Sequence, residues 1–155
     1  MKITLTGSTG NITKPLAKIL IGAGHQITII SSDAAKAGAI EALGATAVIG
    51  SVTDAGFLTT AFTGADVVYI MIPPNYGAPD LRKFMNETGK NFAVAIKNSG
   101  VKRGVVLSSV GAHRSEGTGP ITGLYDLEQT LNDLEDVDFK YIRAPFFYIN
   151  FYALS

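Results

Sequence analysis

The chain has 155 residues, 13 basic and 13 acidic, so its formal net charge is zero. This length suits one domain, 1–155, with a sizeable core, and the balanced charge argues against a nucleic-acid-binding surface. The lack of cysteine excludes a disulfide framework, a cysteine nucleophile and thiolate metal ligation, and two histidines, His25 and His113, leave little for a metal centre; no metal site is expected.

Strands and helices alternate along the chain. A short apolar run, Ile3 to Thr6, reads as a first strand. A helix starting near Asn11 follows, with Ile12, Leu16, Ile19 and Leu20 at helical spacing and Pro15 tolerable in its first turn. Gly22 and Gly24 stop it. Gln26 to Ile30 is rich in β-branched residues and predicts a second strand, Asp33 to Leu43 a weaker helix closed by Gly44, and Thr46 to Ile49 a third strand. Thr53 to Phe62 predicts a short helix capped by Thr53 or Asp54.

Asp66 to Ile72 is the expected fourth strand, ended by Pro73 and Pro74. Leu81, Phe84, Met85, Phe92 and Ile96 mark a long amphipathic helix that Gly100 closes, with Gly89 inside it as a possible break. Val105 to Ser108 predicts a fifth strand, and a polar, glycine-rich loop spans Gly111 to Gly123. Leu124, Leu127, Leu131 and Leu134 mark the next helix, and Phe139 to Ile142 a sixth strand. No apolar run reaches the roughly 18 residues that span a bilayer, and no charged-then-apolar leader opens the chain. A cytoplasmic protein without membrane contact is the expectation.

This alternation implies an α/β fold, a doubly wound parallel sheet of about six strands in a Rossmann-type three-layer sandwich. Right-handed crossovers give the order 3-2-1-4-5-6, with ligands at the carboxyl ends of the strands. The turn after the first strand fits a ligand of one kind. Gly7 and Gly10 occupy the first two glycine positions of a G-x-x-G-x-x-G loop, and Thr13 stands at the third. Gly7 permits the tight turn and Gly10 lets phosphate approach the backbone. The helix start aims N–H groups and the positive dipole end at a dinucleotide pyrophosphate. Thr9, Asn11 and Ile12 are expected to line the loop, chiefly through backbone N–H groups. The alternative is an ordinary strand-to-helix turn.

The segments TGSTGNITKPLAKIL, EALGATAVIGSVTD, TGADVVYIMIPP, NSGVKRGVVLSSVGA, YDLEQTLNDL and YIRAPFFYINFY together resemble the NmrA-like branch of the atypical short-chain dehydrogenase/reductase superfamily, in the family's order and over nearly the whole chain. The resemblance implies an NAD(P)-binding oxidoreductase, with quinone reductases and catalytically silent sensors of the NAD(P)H pool among its relatives. A quinone-like small molecule is the implied substrate, and a non-catalytic sensor acting through a protein partner is the alternative. Family members continue beyond this point to build most of the substrate-side wall. That part is expected to be absent here: the chain is a fragment, or its aromatic tail folds back, or the tail packs on a second copy, and self-association through it is the expectation.

Cofactor choice is expected just after the second strand, at Ser31, Ser32 and Asp33. NADP-preferring members tend to carry an arginine where this chain has Ser31. Asp33 could accept from an NAD ribose or cap the next helix, and Lys36 could reach a 2′-phosphate or stay solvated. Family pattern tips the choice to NADP over NAD. Ser51 and Val52, after Gly50, match the segment that flanks adenine, with Ser51 replacing a frequent aspartate. Met71, Ile72 and Pro73 are expected against the ribose and nicotinamide. Ser108 is a candidate for the superfamily's active-site serine, or a plain strand terminator.

The superfamily's Tyr-x-x-x-Lys dyad has no counterpart. Tyr125 is followed four residues on by Gln129, which carries no charge. A register anchored on Glu128 puts Leu124 and Pro120 at the lysine and tyrosine positions. Tyr125 therefore reads as a packing or loop residue, though it stays a weak catalytic candidate. His113, beside Arg114, is a second weak candidate. Arg143, Phe147 and Asn150 match an Arg-x-x-x-Phe-x-x-Asn pattern in relatives. Phe147 or Asn150 would flank the nicotinamide, unless Phe146, Phe147, Tyr148, Phe151 and Tyr152 are simply core.

Overall fold

A computed structural model describes residues 1–154. Six parallel strands, β1 (Lys2–Leu5), β2 (Gln26–Ser31), β3 (Thr46–Ile49), β4 (Val67–Ile70), β5 (Arg103–Ser109) and β6 (Asp138–Ala144), form one sheet in the order β3-β2-β1-β4-β5-β6. Five helices connect them: α1 (Thr13–Gly22), α2 (Ala37–Ala42), α3 (Ala55–Phe62), α4 (Leu81–Ser99) and α5 (Thr122–Asn132). The doubly wound architecture and strand order are those expected from sequence.

Period-two alternation in the strands sorts the core onto two faces. Ile3, Leu5, Ile27 and Ile29 pack with Ala17 of α1 and Ile40 of α2. Val68, Ile70 and Val106 pack on the other face with Leu58 and Phe62 of α3, Phe92, Ala95 and Ile96 of α4, and Leu127 and Leu131 of α5. Ile19, expected on the apolar stripe of α1, is exposed. Ile12, Leu16 and Leu20 pack partly buried against the core as expected, and the deepest positions of α1 are Thr13 and Ala17, small residues that let the helix lie close to the sheet.

Local chemistry sets the helix ends. The Asp54 and Asp80 carboxylates accept from the backbone N–H groups of Phe57 and Lys83, at 2.9 Å each, capping α3 and α4. Gly100 ends α4 in the left-handed conformation at φ 76°. Gly89 does not break α4. It is buried, and a Cβ there would lie 3.1 Å from Leu127 Cδ1, so glycine serves the close approach of α4 to α5.

Two expectations are corrected. The glycine-rich loop ends earlier than Gly123, in a 3-10 turn at Gly119–Ile121, and α5 already begins at Thr122. The helix expected over Asp33 to Leu43 splits into a 3-10 turn, Ala34–Lys36, and α2. The aromatic tail is also not core. Phe146, Tyr148, Phe151 and Tyr152 are each more than half exposed, although Phe146 and Tyr148 pack their rings against Phe151. No helix among the described residues is long and apolar enough to cross a membrane.

Candidate functional site

Strand order reverses between β1 and β4, so the loops after these two strands diverge and leave a crevice at their carboxyl ends. The crevice opens into a cleft of about 1200 Å³, lined by the loops after all six strands and by the first turns of α4 and α5.

The β1 loop forms its floor. Gly7 adopts φ 94°, and a Cβ there would run into Met71 Sδ and lie 2.6 Å from Thr13 Oγ1. A Cβ at Gly10 would stand 3.1 Å from the Gly7 carbonyl oxygen. Thr13, in the third glycine position, is fully buried, and its hydroxyl donates to the Thr6 carbonyl at 3.0 Å. This bond ties the start of α1 to the end of β1, so the methyl does not part helix from strand. Thr6 in turn accepts from the Met71 N–H at 2.8 Å, fixing the end of β4 beside the loop.

α1 starts without a side-chain cap and without an acid in its first turn. The backbone N–H groups of Asn11, Ile12 and Thr13 bond to no group among the described residues. They are the orphan donors of a helix start, and they carry its positive dipole end. An anion fits there, beside a turn in which a Cβ at position 7 would collide with Met71 and Thr13.

The β2 end is more constrained than the sequence suggests. Ser31 lines the cleft but is buried, and its one hydrogen is directed to the Asp33 carbonyl at 3.3 Å. Its oxygen accepts from Ser8 Oγ at 2.9 Å and from the Asp33 N–H at 3.2 Å. Ser8, at φ 54°, holds an uncommon left-handed conformation in doing so. The Asp33 carboxylate caps the next turn by accepting from the Ala35 N–H at 3.0 Å. Ser32 and Lys36 are exposed on the cleft, and Lys36 is the one charged side chain among its described lining residues.

After β3, Ser51 and Thr53 pair their hydroxyls at 2.8 Å, and Ser51 Oγ also accepts from the Thr53 N–H. The Asn91 side-chain amide of α4 donates to the Val52 carbonyl at 3.3 Å and steadies this edge.

The opposite wall combines β5, α5 and β6. Ser108 donates to Glu128 Oε1 at 2.6 Å. Arg143 closes on the same carboxylate, Nε to Oε1 at 3.1 Å and Nη2 to Oε2 at 2.6 Å. Glu128 is buried, and its carboxylate bonds and attraction raise the Arg143 guanidinium above its ordinary pKa. Burial, with Glu128 nearby, also pushes the Tyr141 phenol up. Two and one helical turns before Glu128, Pro120 and Leu124 line the cleft.

The structure brings Gly7, Gly10, Asn11, Ile12, Ser31, Ser32, Lys36, Ser51, Val52, Met71, Ile72, Pro73 and Ser108 to this one cleft, along with Phe147 and Asn150. Thr9, Tyr125 and His113 are not on its lining, and His113 is exposed on the loop after β5. Pro120 and Leu124, on the Glu128 side of α5 and the turn before it, face the cleft, and Tyr125 does not. Sequence reading missed Phe84 and Met85 as wall residues, because helical spacing marks them as part of an apolar stripe without saying that its first turn leaves the core.

Residues 7–142 match a family model described as NAD(P)H-binding. No curated protein sequence matches the chain. Among solved structures, it is similar to the Citrobacter sp. triphenylmethane reductase complexed with NADP(H), at TM-score 0.84 and 20% identity over 97% of this chain and 52% of that one. It is also similar to an NADPH-dependent quinone oxidoreductase from Escherichia coli complexed with NADPH, at TM-score 0.81 and 24% identity, over 97% of this chain and 51% of that one. A short-chain dehydrogenase/reductase superfamily protein from Agrobacterium tumefaciens with bound NAD aligns at TM-score 0.75 and 19% identity, over 92% of this chain and 48% of that one. The chain thus spans about half the length of these proteins.

Proposed function

The chain belongs to the NAD(P)H-binding family, and from that premise we propose that it is the cofactor domain of an NmrA-like oxidoreductase that prefers NADP and passes hydride to a flat, quinone-like acceptor. The observation that carries the reading is the uncapped start of α1, with its orphan N–H groups, behind a turn in which Gly7 has no room for a side chain and Gly10 stands close to the Gly7 carbonyl.

In this reading Asn11 and Ile12 N–H groups hold the pyrophosphate, and Ser51 and Val52 flank the adenine. Lys36, with Ser32, meets the 2′-phosphate. Two features support NADP. The one charged residue among the described lining is a cation, and the Asp33 carboxylate that would serve an NAD ribose caps the next turn. Met71, Ile72 and Pro73 bound the nicotinamide side. When bound, the reduced cofactor supplies the hydride.

The chain's own residues orient the reactants and exclude water, as the apolar Pro120 and Leu124 do on the wall where the superfamily's dyad would stand. A quinone suits such a site. With the cofactor bound, a quinone would take two electrons as hydride, leaving the cofactor oxidised, and its anion would take one proton from water to leave as hydroquinone. Calorimetric titration with NADPH and NADH, followed by NADPH oxidation with a panel of quinones, tests the reading. Tighter NADPH binding with quinone-dependent oxidation is expected. Binding without any turnover refutes the reductase, and no binding of either cofactor refutes the whole.

A further inference from the structure

We propose that Glu128, clamped by Arg143, fixes Ser108 as a hydrogen-bond acceptor, so that the inner wall of the cleft selects a ligand group that donates an N–H or O–H. The inference rests on the cofactor reading above and assigns Ser108 a polarity opposite to that of a serine that donates to a carbonyl.

Arg143 approaches both oxygens of Glu128 with a two-pronged fork, the geometry of an ionised carboxylate. An ionised carboxylate only accepts. The 2.6 Å contact with Ser108 therefore uses the single serine hydrogen, and its shortness is that of a charge-assisted O–H···O bond. Turning that hydrogen toward a ligand would strip a buried carboxylate of a donor.

The fold makes the arrangement stiff. Ser108 and Arg143 are paired neighbours on β5 and β6, and Glu128 reaches them from α5. Tyr141, on the same face of β6 as Arg143, donates to Asn132 Oδ1 at 2.8 Å and holds the end of α5 to the sheet. Ser108 Oγ makes no other bond among the described residues, so its lone pairs are what it offers at the cleft wall. A carbonyl oxygen there meets like polarity, whereas an amide N–H or a hydroxyl finds an acceptor. The donor could belong to the nicotinamide half of the cofactor or to the hydride acceptor.

Ser108→Ala tests this, with Glu128→Gln as a second variant and each checked for folding by its thermal midpoint. Wild type and variants are titrated with NADPH and with adenosine 2′,5′-bisphosphate, which lacks the nicotinamide half. KM is measured for 1,4-naphthoquinone and its 2-amino derivative. A donor on the cofactor predicts that Ser108→Ala weakens NADPH about three- to tenfold, the worth of one hydrogen bond, and leaves the bisphosphate unchanged. A donor on the substrate predicts unchanged NADPH binding and loss of the wild-type preference for the amino-quinone.

In Glu128→Gln the amide N–H, turned to Ser108 at the cost of the Arg143 Nε bond, frees the serine hydrogen and shifts preference toward the plain quinone. A Glu128 that served only packing would weaken both quinones alike. The proposal is overturned if Ser108→Ala changes neither NADPH nor quinone preference, or if its loss is confined to the plain quinone. Wild-type protein that binds no NADPH overturns the cofactor reading as well; a silent Ser108→Ala in protein that binds NADPH overturns only this inference.

Discussion

At position 7 a single added methyl has no space. Gly7 sits at φ 94° with Met71 and Thr13 closed over it, so Gly7→Ala must move the loop, the end of β4 or the start of α1. The variant is expected to lose NADPH binding in calorimetry by more than tenfold while keeping the far-ultraviolet circular dichroism of the wild type. Lys36 predicts a narrower effect. As the one charged residue among the described lining, it should matter to a 2′-phosphate and not to a hydroxyl, so Lys36→Ala should weaken NADPH about tenfold and leave NADH unchanged in parallel titrations.

Tyr69 makes a prediction about stability. Burial raises its phenol to about 12 from an ordinary 10, and its hydroxyl has no hydrogen-bond partner among the described residues. Between these values the unfolded chain has given up the proton and the folded one keeps it, so stability falls as pH rises from about 10 to about 12. Tyr69→Phe should flatten that alkaline loss in urea denaturation and cost little near neutrality, since no hydrogen bond is removed.

Among the elements, α4 links fold to site. Asp80 caps it, its first turn lines the cleft with Leu81, Phe84 and Met85, and farther along Asn91 donates to the Val52 carbonyl and steadies that edge. Asp80→Ala should lower stability by about 1 kcal/mol in urea denaturation. The length of α4 was legible in the sequence because its apolar spacing and Gly100 are local signals. Its unbroken passage through Gly89 was not, since the reason for glycine there is Leu127, a residue 38 positions away. The same holds at the site. The glycine turn could be read locally, but the bonds of Ser31 to Ser8 and of Glu128 to Ser108 and Arg143 join residues that only the folded sheet brings together. Tyr125 and His113 drew notice for their chemistry, and helix phase and loop course put both off the cleft.

For the whole molecule, alternation of strand and helix with right-handed crossovers was enough to give the sheet order. The aromatic tail was harder to place, because composition reports apolarity and not whether a layer lies above to cover it. Its Phe147, Ile149 and Asn150 border the same cleft that the β1 loop opens. Every strand end therefore contributes to one crevice, whose floor is a helix start with unspent N–H groups. That this floor holds a dinucleotide is most directly tested by calorimetric titration of the full chain with NADPH, wild type beside Gly7→Ala. The account predicts saturable one-to-one binding that the folded Gly7→Ala variant loses. Binding of equal strength in both proteins, or none in the wild type, would contradict it.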